Sequence, residues 1–257
     1  MLADTHCHLD FEALNSRLAS LRLSLSERDV GMLVVPSARS ETWLKVIELC
    51  STDSRFYFGL GLHPYFIEYH QNECVSKLAL EIARMKEEGC KKLVAIGEIG
   101  LDFTRPDSGK QIKLFEAQLE IAEKYALPVI IHVRKAHAEA LFSLKKYNLV
   151  GGGVVHAFSG SLELMMNYIK LGLKIGVGPV ITWPTSFKTK ASISKAPLSA
   201  LVLETDSPDM YVSGAEFGQG SPLDVCEVFE ELKKIRPESG DILESSLWQN
   251  SVQLFIQ

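Results

Sequence analysis

The chain has 257 residues, of which 46% are apolar, 23% charged and 9% aromatic. This composition excludes an intrinsically disordered or fibrous protein and is typical of a globular chain with a large buried core. The formal net charge is −5, from 27 basic and 32 acidic side chains. That balance excludes the broad basic surface by which proteins bind long nucleic acids, so any nucleic-acid substrate must be held locally.

Cysteine usage and the first residues predict a cytoplasmic protein. The five cysteines are widely spaced and contain no Cys-x-x-Cys pair, which argues against a disulfide framework or a thiolate zinc site. The segment Met1–His6 has neither a basic region nor a hydrophobic run, and no apolar stretch approaches the roughly 20 residues that span a bilayer. We therefore expect no membrane association, and the sequence indicates no obligate protein partner.

Short apolar runs alternate with longer amphipathic segments along the whole chain. This alternation predicts βα units around a parallel sheet. The runs, in chain order, are 2–8, 32–37, 56–63, 92–100, 128–133, 153–158, 173–177 and 201–206. Eight strands close a barrel, and such a barrel takes about 250 residues. We therefore predict an α/β protein with one (β/α)8 TIM-barrel domain over residues 1–257.

The segments between the runs carry helix signals. Apolar residues recur at helical spacing in 110–126 and in 223–236. Ser161, with a glutamate two residues later, predicts a helix start, and Gly89 predicts a helix end. The segment 207–222 is the longest without periodicity and follows the last run, a position that favours a functional lid.

Side chains that bind metal ions stand near the carboxyl ends of these runs. Five of the seven histidines lie there, together with one glutamate and one aspartate. The set is His6, His8, His63, Glu98, His132, His156 and Asp206. Barrel enzymes build their active sites at the carboxyl ends of the strands. The sequence therefore predicts that residues far apart in the chain converge on one metal site.

The tripeptide His6-Cys7-His8 lies on the first run. Because strand side chains alternate, residues i and i+2 point to the same side, and both imidazoles can enter the barrel mouth. Cys7 then points away, and we interpret it as a small buried apolar residue rather than a thiolate ligand. His-x-His alone has low specificity, and the donors on the later runs are what favour a metal site.

Six short motifs follow one another along nearly the whole chain. They are Asp4–Asp10, Gly61–Pro64, Gly97–Asp102, Pro128–Arg134, His156–Gly160 and Glu204–Pro208. In this order the set resembles the TatD-like metal-dependent deoxyribonucleases, a part of the amidohydrolase-type barrel hydrolases, with a particular likeness to the YjjV-type bacterial branch. The resemblance implies a (β/α)8 hydrolase that depends on two divalent metal ions.

The resemblance also implies a role for each donor. A carboxylate has two oxygens and can span two cations about 3.5–4 Å apart, whereas a neutral imidazole offers one nitrogen. In the family the residue matching Glu98 bridges the two ions; His6, His8 and Asp206 hold one of them, and His132 and His156 the other. Imidazole ligands suit zinc, manganese or nickel, while magnesium prefers oxygen, so the metal identity stays open.

The implied reaction is hydrolysis of a DNA phosphodiester by metal-activated water, with Glu98 and Asp206 as the catalytic residues. Asp206 is the candidate base. A carboxylate at the edge of a metal site can both bind the ion and accept the proton of the nucleophile. The sequence does not separate these two roles.

Candidates for substrate contact are His63 and Arg134. His63 either contacts a phosphate or caps the turn before the proline that follows it. Arg134 either pairs its planar fork with a phosphate or forms a salt bridge to a neighbouring barrel residue. We interpret His137 as a surface helix residue, and Asp102 either orients a metal ligand or forms a loop ion pair with Arg105.

Three hypotheses for the function remain. The first is a metal-dependent deoxyribonuclease acting on DNA ends or short DNA, because the acidic chain can hold little substrate. The second is the same site acting on a small-molecule ester, amide or phosphoester. Trp183 and Tyr211 could stack a base, so under the first hypothesis their removal should impair DNA cleavage and spare small-ester turnover. The third is a non-catalytic barrel that holds metal for stability, against which the complete donor set argues.

Overall fold

A computed structural model of the protein describes residues 1–71 and 73–256. Its strands are β1 Leu2–Asp4, β2 Val30–Pro36, β3 Phe56–Leu60, β4 Leu93–Asp102, β5 Val129–Arg134, β6 Gly153–Val155, β7 Leu173–Val177 and β8 Leu201–Leu203. Its helices are α1 Glu12–Asn15, α2 Leu18–Glu27, α3 Trp43–Ser51, α4 Glu73–Glu87, α5 Ser108–Tyr125, α6 His137–Leu144, α7 Leu162–Ile169, α8 Phe187–Ile193, α9 Val225–Ile235 and α10 Gly240–Phe255.

The strands form one sheet in chain order, β1 to β8. Each described strand pair runs parallel. Beside β1, the Thr5 amide donates a hydrogen bond to the carbonyl of Leu203, the last residue of β8 (2.9 Å). First and last strands are therefore neighbours, and the prediction of a (β/α)8 TIM-barrel fold of the α/β class is confirmed. The assignment of residues 1–257 to a single domain stays a prediction.

The chain divides into two compact units. The terminal unit comprises residues 1–35 and the segment from His156 onward, and the central unit comprises Pro36–Val155. The central unit contains β3 to β6 with α3 to α6. All ten residues of β4 are buried, as expected for a strand with side chains on both faces covered.

A β-bulge interrupts the pairing of β4 with β5. Ile96 pairs with Val129 and Ile99 pairs with Ile131, so three steps along β4 oppose two along β5. The bulge adds one residue to β4, so that Gly97 and Glu98 together oppose the single residue Ile130 of β5. A bulge re-aims the side chain it carries, and this one falls on the predicted bridging carboxylate.

In the terminal unit, β1 and β8 are shorter than the apolar runs predicted. The reason is the carboxylate of Asp4, which accepts hydrogen bonds from the amides of His6 (3.1 Å) and Thr205 (3.0 Å) and from the Thr205 hydroxyl (2.7 Å). These side-chain bonds replace regular ladder bonds at the strand ends. His6 lies beyond β1, where an isolated bridge joins Cys7 to Ser207.

Helix ends follow the predicted signals. Ser161 caps α7, since its hydroxyl accepts a hydrogen bond from the Leu164 amide (3.3 Å). Gly89 follows α4 with φ +68°, the left-handed backbone that glycine accepts at helix ends. Residues 208–221 contain no helix or strand, and their role as a lid stays a prediction. No helix within the described ranges is long and apolar enough to cross a bilayer.

Candidate metal centre

Four predicted ligands come together in the terminal unit. We call His6, His8, His156 and Asp206 the terminal group. The Nε2 atoms of His6 and His8 lie 3.3 Å apart, and they lie 3.3 and 3.4 Å from Oδ1 of Asp206. The ring of His156 stacks on that of His6, with 4.1 Å between centroids. The predicted convergence of residues 200 positions apart is therefore present within this unit.

The triangle of donor atoms fits a metal ion. Three ligands of a tetrahedral ion with bonds of about 2.0–2.1 Å stand about 3.3–3.4 Å from one another. The three separations among His6, His8 and Asp206 are 3.3, 3.3 and 3.4 Å. An octahedral magnesium ion with bonds of about 2.0–2.1 Å would bring neighbouring ligands to about 2.8–3.0 Å. The donor types and their spacing thus fit a divalent metal ion at the terminal group.

Charge in the terminal group favours an ionised Asp206. Burial alone would raise the pKa of this carboxyl, but contact with His8 and the nearby rings of His6 and His156 hold its pKa below the ordinary value. Asp4 behaves oppositely. Its burial raises the pKa well above the ordinary range, despite the hydrogen bonds from Thr205 and His6. The anionic form required of a ligand is therefore favoured at Asp206.

A buried glutamate supports the backbone beside His156. One carboxylate oxygen of Glu204 accepts a hydrogen bond from the amide of Ala157, which has φ +47°. Gly176 leaves space for this carboxylate, because a Cβ there would stand 2.2 Å from Glu204 Oε2. Glu204 is fully buried. Its position indicates that it orients the chain at His156, a role that the motif pattern alone did not indicate.

The central unit holds a second group of donors, His63, Glu98 and His132, which we call the central group. Oε1 of Glu98 lies 2.8 Å from Nε2 of His63 and 3.3 Å from Nδ1 of His132. Each residue offers one ligand atom, and these atoms lie within 4.8 Å of one another. Glu98 and His63 are buried, while the His132 side chain is 19% exposed. The group has the composition and spacing of a metal site open on one side.

Asp102 orients the second histidine of the central group. Its Oδ2 lies 3.5 Å from Nε2 of His132, on the opposite side of the ring from Glu98. Burial opposes ionisation of Asp102, but His132 and the amide and hydroxyl of Thr104 lower its pKa below the ordinary range. A carboxylate behind a histidine fixes its tautomer and ring orientation. The orienting alternative for Asp102 is therefore present, while Arg105 lies 3.6 Å from Glu68.

His63 caps the turn that follows it. Its Nδ1 accepts a hydrogen bond from the Tyr65 amide (3.0 Å) at the start of a 3-10 turn over Pro64–Phe66. Its Nε2 faces Glu98. The turn-capping alternative is thus what the structure contains, and contact with a substrate phosphate stays a prediction.

Two buried glutamines on α5 hold the backbone next to the central group. Gln118 accepts a hydrogen bond from the Leu62 amide (2.8 Å) and donates one to the Leu62 carbonyl (3.1 Å). Gln111 makes the same paired contact with Asp102, at 2.8 and 2.9 Å. Both side chains are fully buried. Sequence reasoning missed this function because a glutamine at helical spacing resembles any other residue of a packed helix face.

The remaining candidates lie at the surface or half-buried. Arg134 ends β5 exposed, and its guanidinium forms no ion pair with any residue that the structure describes, which leaves it available to an anion. His137 is half-buried and begins α6; burial lowers its pKa. Trp183 and Tyr211 contact edge to face at 5.7 Å, and the Trp183 indole donates to the Tyr211 carbonyl (3.3 Å).

A TIM-barrel fold that carries two groups of histidines and carboxylates at metal-ligand spacing, one in each unit, defines a metal-dependent hydrolase. The family model described as TatD related DNase matches residues 3–256. The chain belongs to the TatD family.

Individual relatives agree with this assignment. The uncharacterized metal-dependent hydrolase YjjV of Escherichia coli is 37% identical over 254 residues, covering 98% of this chain and 96% of the relative. An uncharacterized metal-dependent hydrolase of Haemophilus influenzae is 35% identical and covers 98% of each chain. The crystal structure of YjjV, a TatD homologue from Escherichia coli, matches with a TM-score of 0.94 and 38% identity over 99% of this chain and 97% of that one.

Proposed function

We propose that this hydrolase cleaves phosphodiester bonds of DNA, at ends or in short pieces. The observation that carries a hydrolytic metal site is the triangle of His6, His8 and Asp206 donor atoms with edges of 3.3–3.4 Å. The description of the matching family model supports DNA as the substrate. The formal charge of −5 supports a short contact with DNA rather than an extended one.

Each donor group has a separate task in this proposal. His6, His8 and Asp206 would hold one divalent ion, and His132 with Glu98 would hold a second. A bridging role for Glu98 and a ligand role for His156 toward the second ion stay predictions. Bound divalent ions would lower the pKa of a water and offset negative charge on the phosphoryl oxygens.

The protein side chains then position the substrate and move the proton. Asp206 would accept the proton of the attacking water at its carboxylate. Arg134, exposed and without an ion-pair partner in the described chain, offers its planar fork to a substrate phosphate. His63 keeps Glu98 in place through its Nε2. Asp102 fixes the ring of His132.

Substitution of Asp206 by asparagine separates its two roles. If Asp206 is only a ligand, the variant loses metal and activity together. If it is also the base, the metal content stays near that of the wild type while kcat falls by about 10²–10⁴. Asp209→Asn is the matched control, because Asp209 is an exposed carboxylate three residues further on. Full activity of Asp206→Asn would contradict both roles.

The substrate class is tested by metal analysis joined to an activity screen. The purified protein is offered end-labelled single- and double-stranded DNA, RNA, and small phosphodiesters and carboxylic esters. We expect DNA to give the highest kcat/KM, with a shallow dependence on salt because few phosphates are neutralised. Turnover of small esters with no cleavage of any nucleic acid would replace this proposal by the small-molecule alternative, which uses the same activated water.

A further inference from the structure

A strip of aromatic side chains follows the turn that His63 caps. It consists of Tyr65, Phe66 and Tyr69, and we call it the aromatic strip. Tyr65 and Phe66 contact edge to face at 5.2 Å, and Phe66 and Tyr69 at 6.4 Å. Tyr65 is 45% and Tyr69 62% exposed. Exposed aromatic side chains in mutual contact are a feature of interaction sites.

Two arginines flank the aromatic strip. The guanidinium of Arg105 lies over the Tyr65 ring at 4.4 Å, and that of Arg39 lies over the Phe66 ring at 5.1 Å. Arg105 also lies 3.6 Å from the carboxylate of Glu68, whose side chain is 64% exposed. An exposed ion pair of this length adds little stability, so a phosphate can replace Glu68 at low cost. Aromatic faces beside guanidinium groups form a surface suited to nucleobases and phosphates.

The aromatic strip adjoins the central group. The Phe66 ring lies 6.3 Å from that of His63, and His63 contacts Glu98. Two contacts to backbone carbonyls hold this segment in place. Nε2 of the buried His70 lies within hydrogen-bonding distance of the His63 carbonyl (2.9 Å), and the Lys110 ammonium donates to the Ile67 carbonyl (2.8 Å). A substrate lying on the strip would thus be held at a fixed place relative to the central group.

We propose that the aromatic strip binds the unpaired bases of short single-stranded DNA next to the bond that is cleaved, an inference that rests on the proposed function. It explains how a chain with a net charge of −5 holds DNA. Stacking on aromatic rings does not require a basic surface and tolerates any base sequence. The two guanidinium groups of Arg105 and Arg39 supply local contacts to phosphate in addition to the one proposed for Arg134.

The experiment measures binding directly. Fluorescence anisotropy gives the Kd of the metal-loaded protein for a labelled pentathymidylate with phosphorothioate linkages, which resist cleavage. We expect Tyr65→Ala and Tyr69→Ala each to raise the Kd by about fivefold to a hundredfold, the loss expected for one stacked base. Tyr65→Phe, which keeps the ring, should restore binding to within about twofold of the wild type.

Phe142→Ala is the matched control. Phe142 is 67% exposed and carries a lysine ammonium, that of Lys146, 4.6 Å from its ring centre, so it reproduces an exposed aromatic with a cation above it. The control should bind the oligonucleotide like the wild type. Unchanged Kd values for both tyrosine variants, or a wild type that does not bind, would overturn the aromatic strip as a DNA site. Cleavage of unmodified DNA by the wild type is scored separately, so failure of the proposed function is distinguished from failure of the strip.

Discussion

The paired contact between Gln118 and Leu62 gives a quantitative prediction. Replacing Gln118 by methionine keeps the length and volume of the side chain but removes both amide hydrogen bonds, which measure 2.8 and 3.1 Å. The amide and carbonyl of Leu62, a fully buried residue, then lose their partner. Each buried unsatisfied group costs about 1–3 kcal/mol. We therefore expect Gln118→Met to lower the free energy of unfolding by about 2–6 kcal/mol.

Urea denaturation of the metal-loaded protein measures this loss. Gln253→Met is the matched control, because Gln253 lies exposed on α10; its free energy of unfolding should stay within about 0.5 kcal/mol of the wild type. Because Leu62 precedes His63, Gln118→Met should also weaken metal binding in a calorimetric titration. A Gln118→Met variant as stable as Gln253→Met would refute the argument that the glutamine supports the backbone at the central group.

Three further predictions concern charge, packing and metal. Burial raises the pKa of Asp224 to about 6, so the stability that protonation of Asp224 contributes is fully present below the ordinary pKa of 3.8 and is lost as the pH rises through 6. In urea denaturation, Asp224→Asn should be more stable than the wild type by about 1–3 kcal/mol at pH 7.5 and equally stable at pH 4. A variant that is less stable than the wild type at pH 7.5 would contradict the raised pKa. Gly176→Ala places a Cβ 2.2 Å from Glu204 Oε2 and should lower the free energy of thermal unfolding by about 1–3 kcal/mol. The control is Gly109→Ala in α5, where the new Cβ would lie 3.9 Å from Asp107 Oδ1, and this variant should be neutral or stabilising. Equal effects of the two substitutions would contradict the close approach at Gly176. Chelation with EDTA should lower the Tm and added zinc should restore it; a Tm that ignores the chelator would contradict a bound ion.

Much of the fold could be predicted because periodicity and chain order suffice for a barrel. The run 173–177 coincides with β7 Leu173–Val177, and the helix predicted over 223–236 is α9 Val225–Ile235. Strand ends were less predictable. The run 2–8 ends as a strand at Asp4 because the Asp4 carboxylate takes the amide hydrogen bonds that would continue the ladder, and apolar spacing does not contain that competition.

The grouping of the candidate ligands could be predicted from the sequence, whereas the contacts that support them could not; the ligand roles themselves stay predictions. Barrel enzymes place their active-site residues at the carboxyl ends of the strands, so His6, His8 and Asp206 could be named from their positions together. The bulge that aims Glu98 depends on a pairing register, and the contact of Gln111 with Asp102 depends on how α5 packs on β4. Such features arise from tertiary geometry, which a single sequence does not specify locally.

The two donor groups differ in when they can exist during synthesis. The central group needs no residue beyond His132, whereas the terminal group joins His6 and His8 to Asp206. Because domains emerge from the ribosome N-terminus first, the central donors are complete while more than a hundred residues remain to be translated. His6 and His8 leave the ribosome among the first residues, but the terminal group stays incomplete until Asp206 has been translated. Capture of metal by the terminal group is therefore a late event in biosynthesis, and a prematurely terminated chain lacking Asp206 cannot assemble that group.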